Sequence, residues 1–134
     1  MENGHRLEGV RVLVVEDNPD TLEMLKFIFD ERGAEVITAA SVNEALEALE
    51  RLRPDALVSD IAMPDRDGYD LIREVRSREP ERGGLIPAVA VTAYTRAEDR
   101  VRALAAGFQM HVAKPIDPDE LIAVVASLTG QIHF

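Results

Sequence analysis

Five short apolar runs, each cut off by a polar residue or a proline, alternate along this chain with segments whose apolar residues recur on one helical face. The runs cover residues 10–15, 34–39, 56–60, 87–92 and 110–113. Between them, Leu22, Leu25, Ile28 and Phe29 share one helical face, as do Ala45, Leu46, Leu49 and Leu52. Leu71, Ile72 and Val75 repeat the pattern, followed by Val101, Leu104 and Ala105, and then by Leu121, Val124, Val125 and Leu128. Strands and helices in regular alternation join through right-handed βαβ crossovers and give a parallel sheet covered on both faces. The expected fold is an α/β, flavodoxin-like, doubly wound (βα)5 domain with a five-stranded parallel sheet in the order 2-1-3-4-5.

Local signals mark where these elements start and stop. Asn18 before Pro19 reads as an N-cap with proline at the first helical position, and Gly33 as the C-cap. Ser41 with Glu44 and Thr95 with Glu98 have capping-box spacing, while Asp117, Pro118 and Glu120 open the last helix. Pro54 closes the second helix, Gly107 the fourth, and the charged turn over residues 78–84 reads as solvated surface. The domain is expected over residues 10–129, with a flexible lead over 1–9 and a C-terminal tail over 130–134.

Composition narrows the function classes. A length of 134 residues with 46% hydrophobic and 30% charged content suits one core. The formal net charge of -10 argues against a nucleic-acid-binding surface, which needs basic groups to displace counterions. Without cysteine there is no thiolate metal site, and His5, His111 and His133 are too scattered to build one. No apolar run approaches the roughly 20 residues that span a bilayer, so no membrane partner is expected and the location is read as cytoplasmic.

The strand order places the ends of strands one, three, four and five side by side, and these read Glu16-Asp17, Asp60, Thr92 and Lys114. Open α/β sheets bind ligands just outside those carboxyl ends. Singly, each residue has an ordinary reading: Asp60 opens a Pro-Asp-Arg-Asp-Gly turn, Glu16-Asp17 leads into the Asn18 cap, Thr92 ends a strand, and Lys114 precedes a proline. Together they make a different object. Three carboxylates in one crevice repel and either take up protons or recruit a cation. Oxygen-only donors favour a hard ion such as Mg²⁺, which keeps waters that a phosphate can replace. Lys114 and Thr92 supply the charge and the hydroxyl suited to phosphoryl oxygens, which leaves Asp60 as a carboxylate nucleophile able to form an aspartyl phosphate.

With VLVVEDN, SDIAMPDRDG, VTAY and HVAKP in these positions, the stretch from Val10 to Leu128 resembles the receiver domain of two-component response regulators. The resemblance implies that Asp60 accepts a phosphoryl group from a histidine kinase or histidine phosphotransfer protein. Asp17, Asp60 and the backbone carbonyl of Ala62 would bind Mg²⁺ directly, with Glu16 acting through water. Thr92 and Lys114 would hold the phosphoryl oxygens, and the Lys114-Pro115 peptide would be cis. It also implies a downstream protein target or an output domain in cis, a monomer or a phosphorylation-dependent dimer, and no enzymatic activity beyond the domain's own phosphorylation and dephosphorylation. LEGVRVLVVEDN and GFQMHVAKPID look similar to receivers attached to hybrid sensor kinases.

The chain departs from the family pattern at His111, where receivers usually carry Tyr or Phe as a rotating switch. It is either a satisfied strand histidine or a polar switch that answers to Thr92. The resemblance also implies that the positions of Ala62 and Tyr94 tune dephosphorylation, and neither residue is well suited to hold an attacking water. A dehalogenase-like phosphatase would need a second Asp where Ala62 stands, and a flavin carrier would need a phosphate loop where Glu16-Asp17 stands. A phosphorylation-independent pseudo-receiver is the remaining alternative, although such a scaffold has no need of the complete five-residue set.

Overall fold

The computed structural model describes residues 5–93 and 96–130. Strands β1 (Arg11–Val15), β2 (Glu35–Ala39), β3 (Ala56–Asp60), β4 (Ala88–Thr92) and β5 (Met110–Ala113) alternate with helices α1 (Pro19–Asp30), α2 (Val42–Leu52), α3 (Gly68–Arg76), α4 (Ala97–Ala106) and α5 (Pro118–Leu128). All pairings are parallel, in the order β2-β1-β3-β4-β5. Among the described residues, no helix is long and apolar enough to cross a membrane.

Alternation along each strand divides the core in two. Val12 and Val14, Ala56 and Val58, Val89 and Val91, and Val112 pack under α1 and α5 with Leu25, Ile28, Phe29, Leu121, Ile122 and Val125. Leu13 and Val15, Leu57, and Ala88 and Ala90 face the other way, toward Ala45 and Leu49 of α2, Leu71, Ile72 and Val75 of α3, and Ala103 of α4. The central strands β3 and β4 are buried along their whole length, which is why they read as continuous apolar runs rather than as alternating ones. Packing also extends upstream of β1. Leu7, in the stretch read from sequence as a flexible lead, is fully buried in the α1/α5 layer, and its N–H donates to the Arg32 carbonyl at 2.7 Å.

Several boundaries follow the expected chemistry. Asn18 Oδ1 accepts from the Thr21 N–H at 3.0 Å, Ser41 Oγ from the Glu44 N–H at 3.2 Å, and Asp117 Oδ1 from the Asp119 N–H at 3.0 Å. Others are shifted. The C-cap of α1 is Glu31, and Gly33 takes φ +87° two residues later, where it redirects the chain into β2. Arg53 caps α2 in the left-handed region with φ +48°, since the following Pro54 disfavours the helical conformation at that residue. The charged turn contains a 3-10 turn, Pro80–Arg82, and is tied to α2 rather than merely solvated: Arg78 and Arg82 both reach Glu50, at 2.7 and 2.6 Å.

Helix α4 corrects the expected apolar face. Ala103 is its fully buried residue, whereas Val101 and Leu104 are 64% and 45% exposed and Ala105 is exposed as well. The C-terminal end of α4 sits so close to α3 that a Cβ on Gly107 would lie 2.8 Å from Arg76 Cγ and 3.2 Å from Ile72 Cγ1, and only a small residue faces inward. Arg102 instead lays its guanidinium 4.0 Å above the Tyr69 ring of α3. Thr95 of the expected capping box lies outside the described residues; the observed N-terminal contact runs from the Arg96 N–H to Asp99 Oδ2 at 3.2 Å, one position later than the Thr95-Glu98 spacing predicts. On α2, Leu52 is 38% exposed and lies at the edge of the packed face.

Candidate functional site

Asp60 and Thr92 are the last residues of β3 and β4, while Glu16 and Lys114 sit one step past the ends of β1 and β5. Glu16 still donates its N–H to the Ala39 carbonyl at 3.0 Å, so its side chain is fixed at the top of β1 and is 1% exposed. Asp17 projects into solvent as the chain turns toward Asn18. On the neighbouring strand Asp60 is 6% exposed, and Thr92 on β4 is 2% exposed. The Lys114 N–H bonds to the Thr92 carbonyl at 2.9 Å, prolonging the β4–β5 pairing to the lysine, and the Lys114-Pro115 peptide is cis.

These groups line one crevice of about 350 Å³, together with Asn18, Thr21, Ala62 and Ala93. One carboxylate oxygen from each of Glu16, Asp17 and Asp60 lies within 4.8 Å of the other two. Lys114 Nζ sits 3.3 Å from Glu16 Oε1 and 3.2 Å from Asp60 Oδ1, bridging the two buried acids. Asp60 Oδ1 also accepts the Ile61 N–H at 2.9 Å, and Glu16 Oε2 the Asn18 N–H at 3.1 Å.

The electrostatics follow from burial. Desolvation raises the Glu16 pKa and the charge of Asp60 adds to it, outweighing the Asn18 N–H and Lys114, which favour the ionised form. Burial pulls Lys114 in the opposite direction, toward its neutral form. The charges of Asp60 and Glu16 exceed that effect and hold its pKa above the ordinary lysine value.

Glu16, Asp17, Asp60, Ala62, Thr92 and Lys114 therefore come together. His111 does not line this crevice; it is half-buried beside a separate hollow with Arg100, Leu104, Gln109 and Met110. Its register partner on β4 is Ala90, two residues before Thr92. Tyr94 lies outside the described residues. Sequence reasoning missed Thr21 as a lining residue and treated Asn18 as a helix cap alone, although a cap placed directly after a strand end necessarily borders the crevice.

The support beneath the Asp60 loop was also hidden. Gly68 donates its N–H to the Ile61 carbonyl at 2.8 Å, and a Cβ there would stand 2.5 Å from the Asp60 carbonyl oxygen. Asp67 and Asp70 then form a reciprocal capping box that starts α3. The aspartate-rich spacing in DRDGYD was the available signal for it.

A sequence profile described as the Response regulator receiver domain matches residues 12–126. Among curated relatives, the uncharacterized 14.6 kDa protein in the sodA1 3' region of Leptolyngbya boryana is 50% identical over 119 residues, 89% of either chain. Response regulator Rre1 of Synechocystis is 35% identical over 125 residues, which make up 92% of this chain and 53% of Rre1. This chain thus spans about half of that relative, and it covers only 13% of the sensor protein GacS of Pseudomonas syringae. Among solved structures, the receiver domain of sensor histidine kinase PA1611 from Pseudomonas aeruginosa, with a magnesium ion coordinated in its active site cleft, superposes with a TM-score of 0.83 at 34% identity, covering 91% of this chain and 98% of that one. The Francisella response regulator 1452 receiver domain gives a TM-score of 0.83 at 28% identity, covering 91% and 98%. With its five-stranded order, its strand-end crevice and a family match over most of its length, this chain belongs to the response regulator receiver domains of two-component systems.

Proposed function

We propose that Asp60 is the phosphoacceptor of this receiver, taking a phosphoryl group from the phosphohistidine of a histidine kinase or histidine phosphotransfer protein in a Mg²⁺-dependent reaction. The observation that carries this reading is the grouping of three carboxylate oxygens from Glu16, Asp17 and Asp60 within 4.8 Å, with Lys114 Nζ 3.2 Å from Asp60 Oδ1. The donor set fits the ion: all donors are oxygens, two of the acids are buried, and Ala62 lines the same crevice. Asp17, Asp60 and the Ala62 carbonyl would hold Mg²⁺ directly, and Glu16 through a bound water. When bound, the ion neutralises charge on the phosphoryl oxygens.

The remaining work falls to the chain. Asp60 attacks phosphorus with a carboxylate oxygen as the bond to the histidine nitrogen breaks, and the imidazole leaves with the electron pair. Lys114 turns from Glu16 toward a phosphoryl oxygen, and the Thr92 hydroxyl takes another. Phosphoryl transfer needs mainly alignment and charge neutralisation, which rigid strand ends supply. The phosphorylated domain then switches its interactions with a downstream protein or an output domain in cis. Thr92 and His111 serve as the switch pair, since the β4–β5 register sets them two residues apart along adjacent strands.

Acetyl phosphate with Mg²⁺ tests the assignment. Intact-mass spectra should show a single base-labile phosphoryl adduct on the wild type and none on Asp60→Asn. An adduct that persists in the variant, or a wild type that no donor phosphorylates, rules Asp60 out and favours a phosphorylation-independent binding module.

A further inference from the structure

We propose that Arg66 is a positioning residue for the Asp60 site: it ties the loop that carries Ala62 to two helices and so sets how well the crevice holds its cation. The inference rests on the reading that Asp60 and Ala62 contribute to a Mg²⁺ site.

The loop over residues 61–67 is fixed firmly at both ends. The Gly68 N–H bond to the Ile61 carbonyl closes its base at 2.8 Å, and the Asp67–Asp70 box locks its exit at 2.9 and 3.0 Å. Its middle is different. No hydrogen bond or ion pair joins residues 62–65 to the other described residues; Met63 packs partly buried against the core on the α2/α3 side, and Asp65 takes φ +67°, in the left-handed region that aspartate tolerates better than most side chains.

Arg66 adds a polar anchor directly after this stretch. One guanidinium nitrogen donates to Asn43 Oδ1 at 2.9 Å in the first turn of α2, and the other pairs with Glu74 on α3. The planar fork thus spans two helices at once, which a single ammonium cannot reproduce. Four residues upstream on the same loop, Ala62 lines the crevice beside Asp60. Mg²⁺ demands near-ideal octahedral geometry, so a small drift of a ligand-bearing loop reduces its affinity disproportionately. Arg66 and Glu74 are both partly exposed, and such pairs contribute little to global stability. Their effect is local.

The test is calorimetric titration of Mg²⁺ into the wild type, Arg66→Ala, Arg66→Lys and Asn43→Ala. Arg66→Ala should bind Mg²⁺ on the order of tenfold more weakly, Arg66→Lys nearly as weakly, and Asn43→Ala by an intermediate amount. Asn43→Ala added to Arg66→Ala should weaken binding no further. Metal-free melting temperatures should stay within a few degrees of the wild type, and phosphorylation by acetyl phosphate should be slow at low Mg²⁺ but return to the wild-type rate at saturating Mg²⁺. Wild-type Mg²⁺ affinity in both Arg66→Ala and Asn43→Ala overturns the inference, as does slow phosphorylation that excess Mg²⁺ fails to restore. A wild type that binds no Mg²⁺ overturns the metal reading itself and this inference with it.

Discussion

Gly68→Ala is the most informative single perturbation, because it adds one methyl group at the point where α3 begins against the end of β3. The new Cβ would stand 2.5 Å from the Asp60 carbonyl oxygen and 2.9 Å from Ile61 Cα, both backbone atoms that no side-chain rotation can move aside. The loop must retreat by at least half an ångström, by the same order as the shortfall from ordinary contact. Overpacking of this kind costs about 1–3 kcal/mol. Alanine's higher helix propensity offsets at most about 1 kcal/mol, and less at the first residue of a helix than in its interior. The net loss is about 1–2 kcal/mol, which for a domain of this size lowers the melting temperature by about 4 °C per kcal/mol, or roughly 4–8 °C. Thermal unfolding followed by circular dichroism, with and without Mg²⁺, reads both the loss and any weakening of the metal response. A variant as stable as the wild type would refute the argument that this glycine is required by close backbone approach.

Three further outcomes are expected. Arg76 donates to the carbonyls of Gly107 and Gly84 and to Gln109 Oε1 at 2.9, 2.9 and 3.0 Å, so Arg76→Ala leaves three acceptors without that donor and should cost roughly 2 kcal/mol in urea unfolding. Burial and Asp60 raise the Glu16 pKa, so without metal its ionised form opposes folding at neutral pH, and that penalty is relieved as pH falls through the raised value toward the unfolded one. Glu16→Gln should therefore melt above the wild type at pH 7 in chelator, with a gap that narrows on acidification; a gap that widens would contradict the sign. Ala62→Asn combined with Tyr94→Glu should speed loss of phosphate from the phosphorylated protein about tenfold if the polar groups improve water positioning by about 1.4 kcal/mol, as timed phosphate release would show.

The strand ends and, through the doubly wound order expected of alternating strands and helices, the crevice were legible in the sequence because strand ends are marked by abrupt changes of residue type. A run such as Ala56-Leu57-Val58 ends at one carboxylate, and a parallel sheet can place such ends only along one edge. What the sequence concealed depends on distance between elements. Val101 and Leu104 have helical spacing, but the face that α4 turns to the core carries Ala103, which periodicity alone does not single out. Arg66 reads as one charge in a polar loop until Asn43, 23 residues earlier, comes within 2.9 Å of it. Leu7 lay in a polar lead with no periodicity to mark it, and its burial follows from packing into the α1/α5 layer that only the folded chain supplies.

The Leu7 contact also determines how tension would enter the domain. Ahead of β1 the chain is clamped to the end of α1: the Leu7 N–H meets the Arg32 carbonyl at 2.7 Å, one Arg32 nitrogen reaches back to the His5 carbonyl at 3.2 Å, and another pairs with Asp119 at the start of α5 at 2.6 Å. A pull applied at residue 5 is therefore borne first by this clamp and by the ends of α1 and α5, before any strand of the sheet is loaded. Helix α1 starts at Pro19, two residues after Asp17, so the clamp holds the far end of the same helix whose first turn lines the acidic crevice through Thr21.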